Sequence, residues 1–317
     1  MKRKKFDWSK YGIFFAWIIL VAGFTVCESS FLTINNILNI LRQVSIVGIS
    51  AVGMTFIILS GGMDLSIGSV IGVSAVLAAL LSSSGLHPVL AALVSLMTGA
   101  VIGAFNGVLI NEVGIAPMIS GLGLMTALRG VAYIIANGQP VYGIPDSFKI
   151  LGQGYFLGIP IPVIIMGIIF FGGWVVANKT VFGRCVYGIG GNTEATRLSG
   201  IRVKRIKYQI YILNGVLSAL AGVILMSRTN SGQPKAGDGY EMDVITACVL
   251  GGISTSGGEG NFLSVIVGVV MMGTLTNGMV LMNVQEFYQW VVKGAVLILA
   301  VAIDVLAKRT RKSVRAA

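Results

Sequence analysis

Charged residues are scarce in this 317-residue chain: Asp, Glu, Lys and Arg make up 11% of it, whereas hydrophobic residues make up 55%. Soluble globular domains carry about 25% charged residues, so this composition excludes a cytosolic enzyme, and its hydrophobicity excludes a disordered chain. The mean hydropathy of +0.87 and the long uncharged stretches indicate a polytopic membrane protein whose backbone groups are satisfied within lipid.

Cysteine and histidine are also rare, with three Cys and one His. Cys27, Cys185 and Cys248 are widely spaced and form no CxxC or Cys/His pattern, so neither a disulfide framework nor a zinc site is indicated. The single histidine, His87, directly precedes Pro88 at the expected start of a helix. No Ser/His/Asp set can be assembled, and the sequence predicts no catalytic residue and no metal ligand.

Basic residues are frequent, but they are concentrated in a few places. Seventeen of the 23 Lys and Arg lie in three short polar segments that border apolar runs, namely residues 1–10, 179–207 and 308–315. This distribution is the positive-inside pattern of membrane proteins. A nucleic-acid-binding protein would instead spread basic and aromatic residues over a folded face. We therefore expect the three segments to be cytoplasmic, and no nucleic-acid partner.

Apolar windows long enough to cross about 30 Å of hydrocarbon occur ten times. They are residues 11–27, 44–60, 65–82, 88–110, 115–136, 159–178, 208–228, 241–257, 261–281 and 286–306. An even number of crossings places both termini in the cytoplasm. The sequence thus predicts one all-α transmembrane domain over residues 1–317, a bundle of about ten spans with a cytoplasmic N-terminus (1–10), loop (179–207) and tail (307–317). Eight or nine spans with a re-entrant segment is the open alternative.

Two of the apolar stretches are interrupted by glycine-rich runs, at residues 61–68 and 251–258. Interruptions at membrane depth are tolerated where the backbone is buried in protein or lines a cavity, and a matching pair can indicate an internal repeat. Two tight turns without any duplication are the alternative interpretation.

Glycine spacing also predicts helix packing. Gly99, Gly103 and Gly107 fall four residues apart on one face of a predicted helix, where the missing side chains allow a neighbouring helix to approach closely. Gly68 and Gly72 repeat this spacing in the span at 65–82.

The polar segment at residues 180–201 encodes a short helix. Asn192 is a good N-cap, Glu194 and Arg197 suit the helix dipole in the first and last turns, and Gly200 can adopt the left-handed conformation that ends a helix. A helix over residues 193–199 is too short to be stable alone in water, so we expect it to dock on another surface. Ala195, Leu198 and Ile201 would form its apolar side, with Arg184 and Arg197 nearby; a solvated loop is the alternative.

Residues 188–191 (GIGG) superficially resemble a nucleotide-binding glycine loop. They lack a preceding strand and the Lys-Ser/Thr of a P-loop. ATP binding by this chain is not indicated.

Four ordered motifs resemble a known family over essentially the whole chain. They are residues 31–41 (FLTINNILNIL), 61–69 (GGMDLSIGS), 183–184 with 189–192 and 197–201 (GR, IGGN, RLSGI), and 239–243 with 249–252 (GYEMD, VLGG). The sequence closely resembles the membrane-spanning permease subunits of bacterial ABC importers for monosaccharides, of the ribose, galactose and xylose type. It departs from them at Thr255, where relatives usually carry a larger apolar residue, and in a longer basic tail.

This resemblance implies a type II-like ABC importer permease of the cell inner membrane. Such permeases form a dimer, bind two ATPase domains on the cytoplasmic face and receive the sugar from a soluble binding protein outside. ATP and magnesium belong to the ATPase, so no cofactor is expected in this chain. The short helix becomes the coupling helix, seated in a groove of the ATPase. The coupling residues that the resemblance implies are Gly183, Arg184, Gly190, Gly191, Asn192, Glu194, Ala195, Arg197, Leu198 and Gly200.

A sugar path needs hydrogen-bonding groups, because stripping water from hydroxyls without replacing it costs several kcal/mol. Polar residues at membrane depth are the candidates, since charges there are costly. They are Asp64, Ser66, Arg129, Asn137, Asn214, Asp243, Asn277 and Lys293. For Asp64 the alternative is a capping role for a helix starting at Leu65, and Arg129 and Asp243 could instead pair with other groups of the chain.

Two other functions stay open from the sequence. An ion-coupled secondary sugar transporter would need a coupling carboxylate at the midplane, for which Asp64 is the candidate. A permease of a branched-chain amino acid ABC importer would need partners for an ammonium and a carboxylate. The sugar-type motifs favour the monosaccharide importer, and they do not specify which sugar.

Overall fold

The computed structural model describes residues 8–316, with side chains described for residues 13–306. The first seven residues of the predicted N-terminal segment lie outside this range, and only helical backbone is described for residues 307–316 of the tail. The helices are α1 (Trp8–Cys27), α2 (Ile34–Leu59), α3 (Ile67–Ser83), α4 (Pro88–Asn111), α5 (Pro117–Ile135), α6 (Asp146–Gln153), α7 (Ile161–Lys179), α8 (Val181–Gly191), α9 (Thr193–Leu198), α10 (Val203–Thr229), α11 (Tyr240–Leu250), α12 (Ser264–Leu281) and α13 (Glu286–Ala316). Strands β1 (Tyr155–Phe156) and β2 (Ile159–Pro160) form a small antiparallel hairpin.

Within the described residues, seven helices are long and apolar enough to cross a membrane: α2, α4, α5, α7, α10, α12 and the part of α13 up to Leu306. Two shorter apolar helices are Ile13–Cys27, within α1, and α3. The protein is therefore an all-α polytopic membrane protein, as predicted.

The predicted span at 241–257 is wrong as a continuous helix. α11 ends at Leu250, because Gly251 and Gly252 follow and Gly252 adopts a left-handed conformation at φ +83°. At about 1.5 Å per residue, the 11 residues of α11 cover about 16 Å, roughly half of the hydrocarbon thickness.

An irregular stretch, residues 230–239, precedes α11 and runs beside α3. Gly232 lies against Ala79, and Gly237 lies against Gly68, eleven residues earlier on α3. The same two glycines also contact Val76 and Ile71, so the stretch descends by about 8–16 Å along α3. The glycines of α3 thus make room for this stretch of backbone rather than for another helix.

The bundle is organised around two buried helices, α2 and α10, which pack against each other. α10 also packs against α3 and α4. The outward faces of α4, α5, α7 and α13 are apolar and exposed. Exposed apolar faces of this extent are expected where lipid replaces water as the solvent.

Close contact between α4 and α10 confirms the predicted packing of the glycine-spaced face. Gly99 and Gly103 lie directly against the backbone of Gly215 and Tyr211, and Gly107 lies against the ring of Tyr208. The two backbones approach this closely only because no Cβ stands between them.

The segment α8–α9 marks one end of the bundle, here called the basic end. α1 runs parallel to α12, since Trp17 Nε1 donates to Thr274 Oγ1 (3.1 Å) and Phe24 lies against Gly278. Asp304 lies near the C-terminal end of the apolar part of α13 and accepts a hydrogen bond from Thr255, which lies in the loop before α12. α1 therefore begins, and the apolar part of α13 ends, on the side of the bundle where α8 and α9 lie.

A single methyl group tests the α4–α10 contact. A Cβ at Gly215 would fall on the backbone of Gly99 and 3.1 Å from the nitrogen of Gly103, whereas a Cβ at Gly123 of α5 would meet nothing within 4 Å. Alanine favours both helices by about 1 kcal/mol over glycine, but overpacking costs about 1–3 kcal/mol. We expect Gly215→Ala to lower the melting temperature of the purified protein in detergent and Gly123→Ala to preserve or raise it. Equal melting temperatures would contradict this packing.

Candidate functional site: a polar cavity and an exposed helix

A polar cavity of about 160 Å³ lies between α2, α11, α12 and α13. Its wall contains hydrogen-bonding side chains together with two aromatic rings. They are Gln43, Asp238, Asp243, Thr276, Glu286, Gln289 and Lys293, with Tyr240 and Trp290. Gln43 and Lys293 lie nine and seven residues from the starts of their helices, which places the cavity about 10–14 Å inside the bundle from the end opposite the basic end.

The break before α11 positions one wall of the cavity. Gly239 adopts φ +78° and turns the chain into α11, so that Asp238, Tyr240 and Asp243 all face the cavity. Broken helices commonly form solute sites in transporters, because polar groups near the exposed helix end are available to a solute. Asp243 also lies in the first turn of α11, where the helix dipole favours a negative charge.

Asp243 and Lys293, both predicted path candidates, form an ion pair in the cavity wall. Lys293 Nζ donates to Asp243 Oδ2 at 2.7 Å, and the two side chains are 20% and 9% exposed respectively. The second carboxylate oxygen, Oδ1, is buried without a hydrogen-bond partner among the described residues. The pair neutralises two costly charges, and it leaves one buried oxygen without a described partner.

Sequence reasoning missed the rest of the α13 wall, although a signal was present. Glu286, Gln289, Trp290 and Lys293 are spaced i, i+3, i+4 and i+7 in an otherwise apolar span. This spacing places them on one helical face. A polar stripe of this kind in a transmembrane helix indicates a surface that faces protein or a cavity.

A second polar cluster brings Asp64, Ser66 and Asn214 together. Asp64 is 3% exposed, and its Oδ1 accepts hydrogen bonds from the Ser66 nitrogen (2.9 Å) and hydroxyl (2.6 Å), while its Oδ2 accepts from Asn214 Nδ2 (3.0 Å). α3 begins at Ile67, two residues later than the predicted Leu65. Asp64 still accepts from the backbone nitrogen of Ser66 as a capping residue does, so it caps the turn that leads into α3. The same carboxylate ties this turn to α10 through Asn214.

The remaining path candidates make structural contacts. Arg129 Nη1 donates to the carbonyl oxygens of Pro234 (2.7 Å) and Ala236 (2.8 Å), and so holds the irregular stretch before α11. Asn277 exchanges two amide hydrogen bonds with Asn36, both at 2.9 Å. Asn137 is exposed and adopts a left-handed conformation at φ +50°, beyond the end of α5.

At the basic end, α9 forms as its sequence predicts, one residue shorter than the expected 193–199. Asn192 Oδ1 accepts a hydrogen bond from the Ala195 nitrogen (2.9 Å), and Gly200 ends the helix at φ +83°. Arg197 donates to Glu194 through Nε (3.0 Å) and Nη2. The bond to Arg197 holds the pKa of the Glu194 carboxyl below its usual value. Both charges therefore stay ionised and exposed at neutral pH.

The apolar side predicted for α9 does not face the protein. Ala195 is exposed and Leu198 is 75% exposed, whereas Thr196 is buried against Gly188 of α8. Ala195 and Leu198 therefore do not pack against this chain, and their docking on a partner surface stays a prediction. α8 supplies the attachment through Gly183, Cys185, Val186 and Ile189, all buried. Arg184 and Gly191 are exposed beside α9.

Comparisons with known proteins find transport permeases that match nearly the whole chain in sequence. A family model described as the permease component of the branched-chain amino acid transport system matches residues 36–301. The ribose import permease protein RbsC of Bacillus subtilis (strain 168) is 48% identical over 96% of this chain and 95% of its own length. RbsC of Escherichia coli (strain K12) is 43% identical over 91% of each chain. The D-allose transport system permease protein AlsC of the same strain is 38% identical over 94% and 92%. No solved structure gives a significant match.

Two substitutions at Asp64 distinguish its charge from its hydrogen bonds. Asn can still accept from Ser66, and Asn214 Oδ1, which is buried without a partner among the described residues, can turn to accept from the new amide. Leu would leave the donors of Ser66 and Asn214 unsatisfied, at about 1–3 kcal/mol. We expect Asp64→Leu to lower the melting temperature in detergent markedly and Asp64→Asn only slightly. If the melting temperatures of both variants fall by the same amount, the negative charge of Asp64 is itself required for stability.

Proposed function

The chain belongs to the family of permease components that includes the ribose import permeases, and we propose that it moves a monosaccharide across the inner membrane as the membrane subunit of an ABC importer. The similarity to ribose import permeases over nine-tenths of both chains carries this proposal. Relatives named for D-allose and L-arabinose transport point to the same substrate class. Ribose or a related pentose or hexose is the substrate that we propose.

The topology that we propose has ten crossings with both termini in the cytoplasm. Nine crossings are α1, α2, α3, α4, α5, α7, α10, α12 and α13. Residues 230–250 provide the eighth crossing in chain order, half as the irregular stretch beside α3 and half as α11. α11 covers about 16 Å, roughly half of the hydrocarbon thickness, and the irregular stretch covers the part above it. The basic end is then the cytoplasmic end, as the positive-inside pattern requires.

The partners that we propose are a second permease copy, an ABC ATPase and an extracytoplasmic sugar-binding protein. α9 is the coupling helix. It is capped at both ends, firmly attached through α8 and exposed on Leu198, as a helix that docks on a partner should be. The ATPase would bind ATP with magnesium and hydrolyse the ATP. This chain would supply the path for the sugar, with no enzymatic activity and no cofactor of its own.

The cavity suits an uncharged, hydroxyl-rich solute. Asp243 and Lys293 neutralise each other, Gln43 and Thr276 offer uncharged hydrogen-bonding groups, and Trp290 offers a flat apolar wall. These groups can replace the water lost from sugar hydroxyls. The cavity wall also contains the carboxylates of Asp238 and Glu286, so the choice of a sugar over a branched-chain amino acid rests on the relatives named for sugar transport. Asp64 is occupied by three hydrogen-bond donors outside the cavity, which disfavours an ion-coupled mechanism.

Gly191 provides a test of docking that spares the permease fold. A side chain at this position meets nothing within 4 Å, so Gly191→Glu should insert normally and disturb only a docked partner. We expect sugar uptake by vesicles containing permease, ATPase and binding protein to fall by at least about tenfold, with uptake uncoupled from ATP turnover. Asn178→Asp, an exposed position at the end of α7, adds a charge nearby and should transport normally. Wild-type uptake by Gly191→Glu would reject docking at this surface.

A matched pair of Thr→Val substitutions tests the cavity. Thr276 lines the cavity, whereas Thr126 faces outward from α5, and Val replaces only the hydroxyl in each case. Loss of one uncharged hydrogen bond costs about 0.5–1.5 kcal/mol. We therefore expect the maximal uptake rate of Thr276→Val to fall by roughly threefold to tenfold, and that of Thr126→Val to stay unchanged. Equal rates in the two variants would remove the cavity from the sugar path.

A further inference from the structure

Three chain segments that are distant in sequence meet at the basic end through glycine. They are Gly190 and Gly191 at the end of α8, Gly61 after α2, and Gly257 with Gly258 in the loop after α11. We call these five residues the glycine junction. It unites both of the glycine-rich interruptions that stand out in the sequence with the segment that carries α9.

The segments of the junction touch backbone to backbone. A Cβ at Gly257 would lie 2.8 Å from the Gly61 nitrogen, and one at Gly258 would lie 2.7 Å from the Cα of Gly191. A Cβ at Gly190 would fall on the carbonyl oxygen of Leu59. The Gly258 nitrogen donates a hydrogen bond to that same oxygen (2.9 Å). Packing without side chains leaves few rotamers and little free volume, so this contact is stiff.

Side-chain hydrogen bonds extend the junction on both sides. Tyr187 of α8 donates from its hydroxyl to the carbonyl oxygen of Gly260 (3.2 Å). Half-burial raises the pKa of the Tyr187 phenol, so the hydroxyl keeps its proton at neutral pH. In the same loop, Thr255 Oγ1 donates to Asp304 of α13 (3.1 Å). The loop thus joins α8 to α11, α12 and α13, three of the four helices that form the cavity.

We propose that the glycine junction is the rigid link through which displacement of α9 reaches the cavity wall. Asn192 connects the two elements directly, since its nitrogen donates to the Gly188 carbonyl of α8 (2.9 Å) while its side chain caps α9. α8, α9 and the loop at 251–260 then move as one body. Displacement of that body shifts α11 and α13, and with them Asp243 and Lys293. This inference rests on the proposed function, because it requires a motor that moves α9.

Gly190→Ala acts as a wedge in the junction. Gly190 is helical, so Ala adds no backbone strain, and the new Cβ must push Leu59 and Gly258 away. Gly172→Ala is the matched control, because Gly172 is also helical, in the preceding α7, and a Cβ there meets nothing within 4 Å. The assay is sugar uptake per ATP hydrolysed in vesicles that contain permease, ATPase and binding protein.

We expect the ratio of sugar to ATP to fall about tenfold in Gly190→Ala while the ATPase still co-purifies with the permease, and to stay at the wild-type value in Gly172→Ala. An unchanged ratio in Gly190→Ala would overturn the proposal. If Gly190→Ala does not accumulate, Tyr187→Phe decides, since it removes one hydrogen bond without adding volume. A reduced ratio in that variant supports the link, and an unchanged ratio overturns it.

The proposed function is judged separately, on the wild-type protein and before any variant. Wild-type complex that shows no ATP-dependent sugar uptake would reject the proposed function, and the glycine junction as a transmission element with it. ATP-dependent uptake by wild type, combined with normal coupling in Gly190→Ala, would reject the link alone.

Discussion

The structure depends on one constraint: every backbone polar group at membrane depth needs a partner inside the protein, because lipid offers none. Continuous helices meet this constraint by themselves, but residues 230–239 do not form one. This stretch satisfies its backbone through turns of its own, such as Ala236 nitrogen to Gln233 oxygen (2.9 Å), and through Arg129. A break in a helix is therefore tolerated here, against the glycines of α3. The cavity forms where the break ends and α11 begins.

Buried charge is handled in two different ways on either side of this break. Asp64 receives three hydrogen bonds from Ser66 and Asn214 and leaves no oxygen facing a cavity. Asp243 is neutralised by Lys293 through one oxygen, and its other oxygen lacks a partner among the described side chains. A carboxylate whose acceptors are all used stabilises a fold. Asp243 instead belongs to the cavity wall, where its ion pair with Lys293 offsets only part of the cost of burying the carboxylate.

Local signals in the sequence were sufficient for α9 and for the α4–α10 contact. Asn192, Gly200 and the glycines of α4 act through capping, φ and close approach, which depend on the residues themselves. The sequence predicts the eighth span as one continuous helix, although the glycine-rich run at 251–258 marks the point where α11 stops; the irregular stretch before α11 depends on contacts with distant helices that no local pattern reports. The pairing of Asp64 with Asn214 and of Asp243 with Lys293 crosses 150 and 50 residues, a separation that no local pattern reports.

Glycine serves two purposes in this chain, and the difference bears on how a permease can be both packed and mobile. Gly99 and Gly215 bring α4 and α10 together along their length, which fixes one half of the bundle as a scaffold. Gly190 and Gly258 instead join the end of α8 to the loop after α11, at a point beside α9. A stiff contact between the ends of two segments, such as that of Gly190 with Gly258, transmits the displacement of one segment to the other. A stiff contact along two whole helices, such as that of α4 with α10, instead prevents them from moving relative to each other. The cavity lies between a fixed wall and a movable wall. The fixed wall is α2, which belongs to the packed core, and the movable wall consists of α11 and α13, to which the glycine junction is connected. Relative movement of these two walls is the simplest way in which a push on α9 changes the space available to a solute.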